Sequence, residues 1–219
     1  MATKKELIYN YLDMVNNGTL SDDFMPSYRQ MGFIIDTVRA RLIKQADDRS
    51  WSRRTEFEQD LGNLTMVAVD QAECSGLVLG CNTYRTEKEL PKFIRFQNKP
   101  GIVFTGSVNK IDRLDLILPE RAPYISFSKY TSAVPRLWYL NNHIYTNSPE
   151  LVAINVRGIL ENPTDANRFK CGDGPCFTED SPYPMPLDML AVMTEYLMKV
   201  DLQSYVSQLP DLTNDATPS

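Results

Sequence analysis

Apolar residues recur with helical spacing near both ends of the chain, and in short β-branched runs between them. In KKELIYNYLDMVNNG, Leu7, Tyr11, Met14 and Val15 lie on one helical face. Thr3 and Glu6 have the spacing of a capping box, and Asn17-Gly18 supplies a stop. A second helix is predicted over SDDFMPSYRQMGFIIDTVRARLIKQADD, with Tyr28, Met31, Ile35, Val38 and Leu42 as its stripe. Asp22-Asp23 suit its cap and Pro26 its first turn, while Arg29, Arg39, Arg41 and Lys44 occupy the other side. The third is PLDMLAVMTEYLMKVDLQSYVSQL, with Pro186 at its first position, Asp188 in its first turn and a stripe of Leu190, Met193, Leu197 and Val200. Met189, Tyr196, Met198 and Tyr205 widen that stripe, as expected of a helix covered on more than one side.

Between the second and third helices the pattern turns to strands: LTMVAVD, PKFIRF, GIVFTG, APYISF, RLWYL, HIYTN and LVAINVRGIL. Asn tolerates positive φ, so RLWYL-NN-HIYTN reads as a hairpin, and Pro100-Gly101 marks another turn. The predicted class is α+β. N-terminal helices and a C-terminal helix (1–50 and 183–208) form a small bundle, with a mainly antiparallel β-rich domain (51–182) between them in the sequence. A polar tail, 209–219, is expected to be flexible in the lone monomer.

Composition narrows the function classes. With 219 residues and 42% hydrophobic content, the chain can bury a core plus a smaller helical layer. A net charge of −5 argues against wrapping nucleic acid with the whole surface. No apolar run reaches the roughly 20 residues of a membrane helix, and the N-terminus lacks the apolar core of a signal peptide. The reducing cytoplasm is then the expected compartment.

The stretch KCGDGPCFTEDSPYPMP poses the sharpest chemical question. Six residues separate Cys74 from Cys81 and four separate Cys171 from Cys176. Zinc pairs usually have two to four intervening residues, and a thioredoxin-type pair has two. The spacing favours thiols, with a structural zinc and a disulfide as alternatives. His143, the lone histidine, lies at the head of a predicted strand and reads as an ordinary strand residue. No nucleophile elbow, zinc-hydrolase motif or phosphate-binding glycine loop is present. Glu179-Asp180, like the other adjacent acids, fits solvated charge near a helix start. No enzyme activity and no metal or other cofactor is therefore expected.

Seven Lys/Arg lie from Arg29 to Arg54, against three acids. A DNA-binding helix has this composition, and so does a face that meets an acidic partner. WSRR at 51–54 adds an aromatic anchor, which favours a protein interface. The expected interface residues are Arg39, Arg41, Lys44, Trp51 and Tyr196. A small zinc- or nucleic-acid-binding regulatory module is the alternative function.

The chain as a whole resembles a structural protein family of crAss-like tailed bacteriophages. The resemblance is carried in order by SDDFMPSYRQMGFIIDTVRARLIKQ, DLGNLTMVAVDQAECSGLVLGC, PKFIRF, KYTSAVPRLWYLNNHIYTNSPELVAINVRGILENPTDANRF and EDSPYPMPLDML. It implies a ring or adaptor component of the head-to-tail connector, beneath the portal protein and beside other tail proteins. It implies self-association into a closed ring of about twelve copies, with DNA passing through without sequence-specific binding. The protein would reside in the virion after assembly in the host cytoplasm, with no membrane contact, and would serve DNA ejection. By analogy with adaptors whose terminal extension docks on the portal, Leu209, Pro210 and Leu212 are expected at that contact.

Overall fold

A computed structural model of the chain describes residues 2–15, 26–48, 55–69, 83–97, 99–127 and 135–202. The expected stop at Asn17-Gly18, the Asp22-Asp23 cap, Trp51, Cys74, Cys81, Tyr205 and the tail from Leu209 lie outside the described residues. The chain divides into two compact units: Met1–Ser52 with Glu179–Ser219, and Arg53–Thr178.

In the first unit, α1 spans Lys4–Val15 and α2 spans Tyr28–Asp48. The α1 capping box forms as its spacing predicts. The Thr3 amide donates to Glu6 Oε2 at 2.9 Å, and the Glu6 amide donates to Thr3 Oγ1 at 3.2 Å. A second box that was not anticipated starts α2: the Ser27 amide donates to Gln30 Oε1 at 2.8 Å, and the Gln30 amide to Ser27 Oγ at 3.4 Å. Pro26 accordingly precedes the cap instead of occupying the first turn.

Met31, Ile35, Val38 and Leu42 are buried as the stripe requires, whereas Met14 of α1 is 47% exposed and Ile8 takes the inward place. The third helix, α3, spans Leu187–Tyr196, with Pro186 as its N-cap. It continues into a π-helical turn, Leu197–Asp201, closed by the Leu202 amide on the Leu197 carbonyl at 2.9 Å. The wider turn carries one extra residue. After Leu190, Met193 and Leu197, the next buried position is therefore Leu202, and the expected Val200 points to solvent. Tyr11 Oη and Thr194 Oγ1, 2.9 Å apart, tie α1 to α3.

The second unit is built on a sheet. Its strands are β1 (Gln59–Ala68), β2 (Tyr84–Thr86), β5 (Ile102–Gly106), β6 (Leu116–Ile117), β7 (Leu137–Leu140), β8 (His143–Thr146) and β9 (Ala153–Gly158). Their order is β5-β9-β1-β2-β8-β7-β6, and every pair is antiparallel except β6 with β7. Two small hairpins accompany it, β3 (Arg95–Phe96) with β4 (Lys99–Pro100) and β10 (Lys170–Cys171) with β11 (Gly174–Pro175).

The Asn141-Asn142 hairpin forms as expected, with φ of 48° and 59° and Leu140 opposite His143. APYISF is not a strand: it lies in a 3₁₀ helix over Pro119–Phe127. Pro123 cannot donate to a ladder, which explains the difference. PKFIRF contributes only Arg95–Phe96 to a strand, and its Phe93 and Ile94 serve mainly as core residues. The core is filled by Leu61, Leu64, Leu137, Ile144, Ile154, Val156 and Leu160.

One segment joins the two edges of the sheet. Arg113 bridges Gly106 of β5, and the Leu114 amide donates to the Thr105 carbonyl at 2.8 Å. Three residues later, Leu116 and Ile117 pair with β7. Asp112–Ile117 thus closes the sheet on itself and covers backbone that an open edge would expose.

Candidate interaction surfaces

In the helical unit, polar side chains first build the scaffold. Lys4 Nζ donates to Asp36 Oδ2 at 2.6 Å and Tyr183 Oη to Asp36 Oδ1 at 3.0 Å. Arg39 Nε donates to the Pro184 carbonyl at 3.0 Å, and its guanidinium lies 5.9 Å from the Tyr183 ring centroid. All four side chains belong to buried residues. Burial pushes the Asp36 carboxyl up, against the pull of Lys4. Burial and the neighbouring carboxylate likewise push Tyr183 well above the usual phenol range, and burial lowers Arg39. Such a cluster needs all its partners, because a single charge left alone in the interior costs more than the pair contributes.

This corrects the placement of Arg39. It was expected on an exposed cationic face but is 0% exposed, its length used to reach the 183–185 strap. Arg41 and Tyr196 are brought together: Arg41 Nη1 donates to Tyr196 Oη, and the guanidinium is 5.4 Å from the ring centroid. Lys44 is exposed. Phe33, Thr37, Arg41 and Lys44 therefore form an outward stripe on α2, with Phe33 72% exposed. Sequence reasoning passed over Phe33, although an aromatic residue outside the core stripe was a legible signal. The Glu179 carboxylate accepts from Tyr28 Oη at 3.0 Å, and burial together with that carboxylate pushes Tyr28 up to about 12.

The second unit carries its own surface features. Asp60 sits at a bulge in β1 between Asp60 and Asn63, where Gly62 adopts φ +69°. The Gly62 amide donates to Asp60 Oδ1 at 2.8 Å, the Asn155 amide group donates at 3.2 Å, and Lys110 pairs with Oδ2. Burial works to raise Asp60, but these donors prevail and hold it below its ordinary value.

Lys110 belongs to a tight loop after β5. There the Ile111 amide donates to Asn109 Oδ1 at 3.0 Å and the Asp112 amide to Ser107 Oγ at 3.2 Å. At its tip, Ile111 is 78% and Val108 48% exposed. On the outer face of β7 and β8, Trp138 and Tyr145 stack with centroids 6.1 Å apart and 13° between planes. With Val69, Leu140 and His143 they line a recess of about 520 Å³. His143 Nδ1 lies 2.9 Å from the Thr86 carbonyl, which fixes the ring in its strand.

Cys171 and Cys176 are closed into a disulfide with 4.7 Å between their Cα atoms. The spacing had favoured thiols. The tight β10–β11 hairpin, turned by Gly172 at φ +73°, brings the two sulfurs together. Sulfurs bonded to each other are not thiolate ligands for a metal. Among the described residues no three His, Cys, Asp or Glu side chains converge. No helix among them is long and apolar enough to cross a membrane.

The arrangement offers contact surfaces on rigid supports. Comparison with curated proteins finds no match. A family model described as phage tail ring protein 2, of the crAss type, matches residues 6–218, nearly the whole chain. That span takes in the capped helices, the closed sheet and the exposed stripes alike. The chain therefore belongs to the phage tail ring protein 2 family and is a structural ring component of the virion.

Proposed function

We propose that the protein is a subunit of the head-to-tail connector, placed next to the portal and extending the DNA channel into the tail. The observation that carries this reading is a ring-family chain in which α1, α2 and α3 belong to one helical unit and residues 53–178 to a second, β unit. A closed ring needs two different surfaces per subunit. The α2 stripe through Phe33, Arg41 and Lys44 supplies one that is both apolar and cationic. The ring would close from about twelve copies of this chain. Net charge of −5 suits a channel that lets DNA pass without holding it. The segment from Leu209, with Pro210 and Leu212, is assigned to portal docking, with Trp51 and Tyr196 at contacts between proteins. Assembly takes place in the host cytoplasm, and the ring then serves DNA ejection.

An electron-microscopic reconstruction of the virion tests this directly. Density for this chain is expected as a ring against the portal, around the DNA path. A ring located distally, with no portal contact, would overturn the connector assignment. Deleting residues from Leu209 onward should leave the thermal melt unchanged while particles lose the ring. Truncated protein that joins DNA-filled heads at the normal level removes the docking role.

A further inference from the structure

We infer that the outward face of α1 in one subunit, through Glu6, Tyr9 and Asp13, docks on the α2 stripe of the next copy, through Phe33, Arg41 and Lys44. This rests on the ring reading and supplies the second of the two surfaces that a closed ring requires.

The two faces lie on opposite sides of one helix pair. Gly32 and Asp36 are the positions that α2 turns toward α1. A Cβ at Gly32 would stand 3.3 Å from Ile8 Cδ1, and Asp36 accepts from Lys4. Lys4 and Ile8 are accordingly the side of α1 that meets α2. In a helix, about nine residues make two and a half turns and so reach the far side. Arg41 comes nine positions after Gly32, and Asp13 nine after Lys4. Phe33, Thr37 and Lys44 share the Arg41 side by helical spacing, and Glu6 and Tyr9 share that of Asp13.

The chemistry of the two faces is complementary. Between Ser27 and Gln45 the exposed residues of α2 include Arg29, Arg41 and Lys44 and no acid. The α1 stripe carries two acids, with Lys5 beside it. Each face also holds an aromatic ring that water still reaches, Phe33 at 72% and Tyr9 at 53% exposure. Covering these rings stabilises a contact, and the charges around them select the partner. Pairing α1 with α1 sets acid against acid, and pairing α2 with α2 sets cation against cation. The head-to-tail arrangement avoids both, and it is the one from which rings are built.

Both faces are also prepared for docking. Tyr9 rests against the Tyr28 ring with centroids 5.6 Å apart, Glu6 is held by its cap to the Thr3 amide, and Arg41 lies over Tyr196. Side chains fixed in advance lose little freedom on association.

The test uses full-length chain in purified particles carrying Phe33→p-benzoylphenylalanine. On irradiation, a product of about twice the 25.0 kDa chain mass is expected. Mass spectrometry should join position 33 to the α1 peptide that contains Tyr9. A cross-link to a different protein, to another part of this chain, or within a single chain overturns the contact. So does the lack of any cross-link in particles that contain the ring. All of these leave the ring reading standing, whereas absence of the chain from particles defeats both.

As a second arm, Asp13→Lys and Lys44→Glu should each lower incorporation about tenfold, because each sets like charges against one another. The double variant exchanges the two charges and should recover most of the loss. Both side chains are exposed, so all three variants should melt with the wild type. Single variants that incorporate normally, or a double variant no better than the singles, overturn the contact.

Discussion

The two units of this chain use their charged residues in opposite ways. In the helical unit Lys4, Asp36, Arg39 and Tyr183 are drawn inward and hold α1, α2 and the strap before α3 in one arrangement. In the β unit the buried polar residues among those described, such as Thr86, Thr146 and Asn155, are uncharged, and Asp60 and Lys110 work at the margin, where they brace a bulge and a loop. A short bundle buries little area per helix, so directional bonds select among alternative packings. A closed sheet already satisfies its backbone, and its side-chain polarity is left free to shape loops.

The strongest way to break this contrast is to strip one charge from the buried network. Asp36→Ala should destabilise the helical unit by about 3–5 kcal/mol, since Lys4 loses its buried partner. Chemical denaturation followed by tyrosine fluorescence measures it. The double change Lys4→Met with Asp36→Leu should recover much of the loss, because replacing a whole buried pair is far cheaper than breaking it. A double variant as unstable as Asp36→Ala would mean that the remaining partners, Arg39 and Tyr183, need the carboxylate themselves.

In the β unit the corresponding weak point is backbone. A Cβ at Gly62 would overlap the Lys170 carbonyl, and the residue has φ +69°. Gly62→Ala should cost about 1–3 kcal/mol in thermal unfolding. A neutral outcome would show that the β10 hairpin can shift away.

The smallest effect, and the one that separates the units most finely, is pH dependence. Asp60 is held below its ordinary value, so its contribution is present above about pH 4 and is lost as pH falls through its lowered value. Asp36 is raised, so its contribution has the opposite sign: full below the ordinary Asp range, and lost as pH rises through its raised value. Acidification toward about pH 4 should favour the helical unit, whereas only acid below about pH 4 should loosen the β bulge and the Lys110 loop. Hydrogen exchange of the Gly62 and Ile111 amides, against those of α2, reads both. Asp60→Asn should abolish the acid response at the bulge alone.

Local features were legible before any coordinates. The Thr3–Glu6 box, the α2 stripe and the Asn141-Asn142 turn depend on residues a few positions apart, whose chemistry leaves few options. Features set by distant partners were not. Arg39 and Arg41 lie two positions apart on a helix predicted to be cationic on one side, yet one is buried under Pro184 and the other lies against Tyr196. Val200 and Leu202 exchange roles because a π turn intervenes, and no spacing rule foresees the extra residue. The Cys171–Cys176 pair became decidable only when its hairpin was seen to fold tightly.

By itself, then, the sequence determined the α+β class, the principal helices, the asparagine hairpin and the order of segments that marks a tail ring protein. Each of these rests on local periodicity, capping chemistry or ordered motifs. Tertiary structure alone decided which arginine is scaffold and which is surface, and that one segment closes the sheet. Those outcomes depend on which distant groups meet, and burial assigns them only once the whole chain has folded.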